Sequence, residues 1–213
     1  MLPEQPIRPL HDVWLRPRRV FRELSSRAVG GVDYLLGAAQ GVVGWLALSR
    51  AQNAGAHSSV ADIFVRALPI GSVAGVVSLF LMGAIYTRLG AIGGKKVARN
   101  QVIHVLAYGA VPMAASLIIW VFTALLAGES TFESSLRPDL EGFVALLLHA
   151  HFYAYVLLTI WSVLIQIMGL SEMMGVTPGK SFGLWALGQV IGFLGLLFLM
   201  VLLATLFPNA VIG

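Results

Sequence analysis

No cysteine occurs in the 213 residues, so disulfides, thiolate nucleophiles and thiolate metal sites are excluded, and a metal would need His, Asp or Glu ligands. Charge is scarce too: Asp, Glu, Lys and Arg make up 11% of the chain, against about one quarter in soluble domains. With 58% hydrophobic residues and a mean hydropathy of +0.84, the chain is built for a bilayer. The usual catalytic signatures are missing. There is no Walker phosphate loop, no Gly-x-Ser-x-Gly elbow and no His-Glu-x-x-His pair. Gly93 to Lys96 reads Gly-Gly-Lys-Lys, but neither the upstream glycine spacing nor a following Ser or Thr fits a phosphate loop, so it reads as a basic turn. The chain is therefore expected not to be an enzyme and to need no cofactor. The first thirty residues hold nine ionic side chains and four prolines without an apolar run, so no cleavable signal peptide is expected. The net charge of +4 reads as topogenic Lys and Arg beside anionic lipid, with no nucleic-acid partner.

A hydrocarbon core of about 30 Å needs roughly 20 mostly apolar residues per helix. Five stretches have that length: Val32 to Ser49, Leu68 to Leu89, Val102 to Ala127, Phe143 to Leu170 and Phe182 to Phe207. The expected fold is all-α, a compact polytopic bundle of about five transmembrane helices over residues 31–213. An N-terminal arm, residues 1–30, precedes it. Six arginines of the arm, then Arg88, Lys95, Lys96 and Arg99, then Lys180 fall on one side, eleven of the fourteen cations. Arg50, Arg66 and Arg137 fall on the other. The positive-inside rule then places the N-terminus in the cytoplasm and, after five crossings, the C-terminus outside. The acidic third connection, with Glu129, Glu133, Asp139 and Glu141, lies on the outer side.

Within the arm, Trp14, Pro17, Val20, Phe21, Leu24 and Ala28 recur at steps of three and four, one face of a helix. Arg18, Arg19 and Arg22 lie mainly opposite. This predicts a short amphipathic helix in the cytoplasmic interface, in contact with membrane lipid.

Glycine pairs at Gly37 and Gly41, Gly71 and Gly75, and Gly188 and Gly192 put small-x-x-x-small motifs on three spans. They serve either packing inside one bundle or, on one face, a homo-oligomer. Ionisable groups at depth are few and tend to mark function. Asp33 opens the first span and His104 the third from the same side, so they form a candidate intramembrane pair, with Lys95 as the other cation in reach. Pro112 removes a hydrogen bond from the third span and should kink it, freeing a carbonyl near Tyr108. On the fourth span His151 and Tyr155 share one face while His149 and Tyr153 share another, and the deeper pair is expected to face inward. Tyr108, Pro112, His151 and Tyr155 thus make a candidate polar pocket for a lipid headgroup, ion or small solute. His149 and His151 diverge by roughly 200° on a helix, so no metal site is expected of them alone. Trp45 and Trp120, toward span ends, read as interfacial aromatics.

The lead-in with Pro17 and Phe21, the five spans, Tyr108-x-x-x-Pro112 and the run Ile160-Trp-Ser-Val-Leu-Ile-Gln-Ile-Met-Gly-Leu170 before the turn into Ser181 form a pattern running from Val13 to the end. It resembles the bacterial branch of the Yip (Ypt/Rab-interacting protein) domain family. The resemblance implies a five-helix membrane domain with a cytosolic N-terminus, here in a bacterial inner membrane. The eukaryotic branch is associated with Golgi traffic and small GTPases and carries an Asp-Leu-Tyr-Gly-Pro signature. The nearest stretch here, Asp12-Val-Trp-Leu-Arg-Pro17, lacks the Tyr-Gly pair, so GTPase binding is not carried over. The expected function is a non-enzymatic membrane module organising lipid or partner proteins, the protein partner being unspecified. The alternative is a conduit for a small solute or ion through the pocket between the third and fourth spans.

Overall fold

The computed structural model describes residues 7–92, 96–133 and 142–206, and among these every regular element is helical. Two short helices form the arm, α1 (Pro9–Asp12) and α2 (Pro17–Leu24). The bundle follows with α3 (Gly31–Ala51), α4 (Val60–Arg66), α5 (Ser72–Ile92), α6 (Arg99–Gly109), α7 (Val111–Ala127), α8 (Phe143–Met174) and α9 (Pro178–Leu206). Because α4 runs on into α5, and α6 into α7, these make five segments long and apolar enough to cross a membrane.

The proline positions explain where the long segments break. Pro69 has no N–H to return to the preceding turn, and the chain passes through a π-helical turn, Ala67–Gly71, between α4 and α5. The second segment consequently starts at Val60, well before Leu68. Ser59 caps it, with Ser59 Oγ accepting the Asp62 N–H at 3.2 Å. Pro112 sits in the first turn of α7, just after the break at Ala110. The Gly109 carbonyl at this break is satisfied from another helix: Ser162 Oγ of α8 donates to it at 2.6 Å. Two further ends lie beyond the apolar runs. The fourth segment continues to Met174 and stops at Gly175, whose φ of 63° gives the left-handed turn that favours glycine. The fifth starts at Pro178, a proline suited to a first helical turn.

Glycines decide how the helices pack. A Cβ on Gly41 would overlap the Gly71 carbonyl and the Gly75 backbone, and one on Gly75 would overlap the Gly37 carbonyl. The backbone of α3 therefore touches the π-helical turn and the start of α5 through these four residues. On α9, a Cβ on Gly188 would run into the Tyr86 ring and one on Gly192 into Met82 Sδ. All three motifs are consumed inside one bundle, so the closest approaches they permit are intramolecular. Tyr86 Oη donates to the Trp185 carbonyl at 2.9 Å and accepts Gln189 Nε2 at 3.1 Å, fixing α9 to α5.

Two cores result. At the end of the bundle that carries the arm, Val13, Val20, Phe21 and Leu24 join Leu36, Tyr86, Val102, Val105, Ile165 and Leu170. At the far end Val43, Leu46, Ile63, Trp120, Ala124 and Phe132 pack together. Trp120 is 1% exposed and stacked on Phe132 at 5.6 Å, so it is a core residue of the far end and not an interfacial one. Large apolar side chains such as Leu81, Ile118, Leu125, Leu157 and Phe193 stay exposed on the bundle's flanks, as bilayer-facing surface requires.

Candidate functional site

The apolar face of α2 is spent on the bundle. Pro17, Val20, Phe21 and Leu24 are buried, and the Phe21 ring lies against Gly169 of α8 and Val105 of α6, where a Cβ on Gly169 would displace it. The arm helix is amphipathic as its periodicity demands, but its apolar stripe covers protein and leaves only the opposite face free. Arg22 adds a charged tie, with Nη2 2.9 Å from Glu172 Oε1 near the end of α8.

Between α2 and α3 the linker is held by the head of α6. Gln101 Nε2 donates to the Ser25 carbonyl at 3.3 Å and Asn100 Nδ2 to the Arg27 carbonyl at 3.1 Å. His104 Nε2 is 3.1 Å from that same Arg27 carbonyl, and its Nδ1 is 2.7 Å from Asp33 Oδ1. Asp33 Oδ2 in turn accepts the Gly30 N–H at 2.9 Å, capping α3. His104 and Asp33 are 2% and 3% exposed. A backbone carbonyl only accepts, so His104 Nε2 must carry a proton. One further proton then lies between Nδ1 and Oδ1, giving either an imidazolium–carboxylate pair or a neutral imidazole facing a carboxylic acid. Both forms satisfy every polar atom of the pair.

The free face of the arm is cationic. Arg16, Arg18, Arg19 and Arg22 surround an open groove of about 400 Å³ whose remaining lining is Leu15, Pro17 and Met168. Leu15 is 79% exposed there. Arg19 pairs with Glu23 at 3.3 Å, while Arg16 and Arg18 are exposed.

Of the residues singled out in the sequence, Asp33 and His104 are brought into contact; Lys95 lies outside the described residues. The four-residue pocket is not assembled. Tyr108 stands beside His104, ring centroids 6.4 Å apart, at the arm end. His151 and Tyr155 pack on Trp120 toward the far end, at 4.4 and 6.0 Å. A cavity of about 240 Å³ there is lined by Ala47, Arg50, Ala51, Trp120, His151, Phe152 and Tyr155, without Tyr108 or Pro112. The two groups lie apart because α6 and the start of α7, with Val111 and Ala114, belong to the arm-end core, while Trp120 and Ala124 further along α7 belong to the far-end one. His151 faces inward, 2% exposed, with Nδ1 3.0 Å from Thr123 Oγ1. His149 and Tyr153 face outward. Among the described residues no three His, Asp or Glu side chains come together as a metal site.

Asn100, Gln101, Glu172, Ser162 and Arg50 were not singled out by sequence reasoning. The first four meet backbone carbonyls or residues more than fifty positions away, and Arg50 lines a cavity with residues of two other helices, none of which periodicity registers.

A family model described as Yip1 domain matches residues 12–205 of the chain. No curated protein and no solved structure matches it. The matched segment begins within the arm and so takes in both the docked arm helix and all five long apolar segments.

Proposed function

The chain belongs to the Yip1 domain family, an integral membrane protein of that type, and from this premise we propose that it is a non-enzymatic module that organises anionic lipid or partner proteins at the membrane surface. The observation that carries the proposal is the arm: its apolar face is buried in the bundle, its linker is latched by α6, and its arginines ring a groove open at the bundle's end. A cationic face fixed to a membrane domain meets lipid phosphates or an acidic partner without first ordering itself. In this reading the protein sits in a bacterial inner membrane with the arm in the cytoplasm and the C-terminus outside, as the eleven-to-three cation division suggests.

Native mass spectrometry of the full chain in neutral detergent tests the lipid side of the proposal. Replacing Arg16, Arg18 and Arg22 with Gln should lower retention of phosphatidylglycerol relative to phosphatidylcholine by about 1 kcal/mol per charge, roughly fivefold each. Retention unchanged by all three substitutions would remove the lipid role of the groove. Orientation has its own test. Single cysteines at Ala54 and Ser130 should react with an impermeant thiol reagent added to intact cells, and one at Gly175 should not. Labelling of Gly175 from outside would reverse the assigned sidedness.

A further inference from the structure

The far-end cavity differs from the arm groove in place and in construction. Arg50 lies in the last turn of α3, half-buried, with no hydrogen bond or ion pair from its guanidinium among the described residues. Trp120 and His151, from two other helices, line the same cavity, and their Nε1 and Nε2 atoms are buried without partners among the described residues. Both side chains are at least 98% buried, which makes two orphaned polar atoms beside one cation unusual.

The donor inventory has one sign. A guanidinium offers five N–H groups and an indole only donates. When the Thr123 hydroxyl, 3.0 Å from His151 Nδ1, donates to it, the ring proton sits on Nε2 and adds a further donor. Among the described residues no carboxylate lines the cavity. A site so equipped complements an anion with several acceptor oxygens, and the Arg fork suits phosphate. Its position agrees: α3 ends at Ala51, so Arg50 sits where the chain leaves the hydrocarbon and headgroups begin. Phe152, 51% exposed beside Arg50, offers apolar surface to whatever carries the anion. At about 240 Å³ the cavity exceeds the space of a few waters at about 30 Å³ each and admits a phosphate with its immediate substituents.

We propose that this cavity is a phosphate-binding site formed by Arg50, Trp120 and His151 at the end of the bundle opposite the arm. The phosphate belongs either to a membrane lipid headgroup or to a soluble anion. The test uses the full chain in neutral detergent with Arg16, Arg18 and Arg22 already replaced by Gln, so that the arm contributes nothing. Short-chain phosphatidylglycerol and, separately, inorganic phosphate are titrated while the thermal midpoint is followed. A saturable rise is expected, with apparent affinity at least tenfold weaker in Arg50→Gln and unchanged in Arg66→Gln, which lies outside the cavity. A rise with the lipid alone identifies the headgroup as ligand; a rise with inorganic phosphate identifies a soluble anion. If Arg50→Gln does not fold, Arg50→Lys keeps the charge without the fork and should still bind, but more weakly. No rise with either ligand, or equal affinity in the Arg50 variant and its parent, overturns the site. Because the arm is silenced throughout, failure here leaves the arm proposal standing, and failure of the arm proposal leaves this one standing.

Discussion

Gly75→Ala is expected to destabilise the detergent-solubilised protein by about 2 to 3 kcal/mol, seen as a thermal midpoint lower by about 4 to 12 °C. The added methyl would point into the Gly37 carbonyl and the Gly41 backbone, with Gly41 Cα only 2.8 Å away. No side chain can rotate aside there, so α3 and α5 must separate along their whole contact. Separation also opens the far-end core, because Val42, Val43 and Leu46 of α3 pack into it from the same helix. Gly44→Ala is the matched control. It makes the same chemical change on α3, about one turn beyond Gly41, where nothing lies within 4 Å, and should be neutral or slightly stabilising through reduced backbone freedom in the unfolded chain. Equal losses from the two variants would mean that α3 and α5 do not meet through their glycines.

The buried pair should give the other large effect. Asp33→Ala leaves His104 Nδ1 facing a void and Gly30 N–H uncapped, and His104→Ala leaves Asp33 Oδ1 unmatched in a buried carboxylate and the Arg27 carbonyl with Asn100 alone. Breaking a buried pair from one side costs about 3 to 5 kcal/mol, chiefly through the group left behind. The double variant removes both stranded groups together. It should therefore be much less destabilised than the sum of the singles, with a coupling of about 1 to 3 kcal/mol in a double-mutant cycle. Strict additivity would deny the 2.7 Å contact. The same variants should loosen the arm, since His104 also holds the Arg27 carbonyl of the linker. Faster hydrogen exchange across residues 17–27 in His104→Ala, with α5 unchanged, would register that link.

How much of this the chain declares on its own depends on the range of the forces involved. The five apolar segments were legible because burial in hydrocarbon demands a composition that runs for some twenty residues. Their ends were less so: Ser59, Pro69 and Pro178 set boundaries through single caps and missing N–H groups that a hydropathy window averages away. The contact between Asp33 and His104 could be anticipated because both open spans from one side, which fixes their depth. Depth alone did not suffice for Tyr108 and His151. Pro112 marks a kink, but only the packed structure says that α6 with the start of α7 serves one core and the later part of α7 the other, and this splits the four-residue pocket. The arm's apolar stripe was equally plain in sequence, yet lipid and protein bury it for the same reason. Gly169, which makes room for the Phe21 ring, is what assigns it to protein. Arg50 counted only as one of three far-side cations, and its orphaned neighbours Trp120 and His151 come from helices whose spacing to α3 no periodicity encodes.

The central claim is that the latched arm presents its arginines to an anionic surface, and the lipid shell around the reconstituted protein tests it most directly. With the chain in phosphatidylcholine vesicles containing a minority of spin-labelled phosphatidylglycerol, the protein-contacting fraction of label should exceed the bulk fraction in the arm-side leaflet. Replacing Arg16, Arg18 and Arg22 with Gln should bring that leaflet to the bulk value while leaving the fold intact. A wild-type shell with no excess of the anionic lipid, or an excess that survives the loss of all three arginines, would contradict the account.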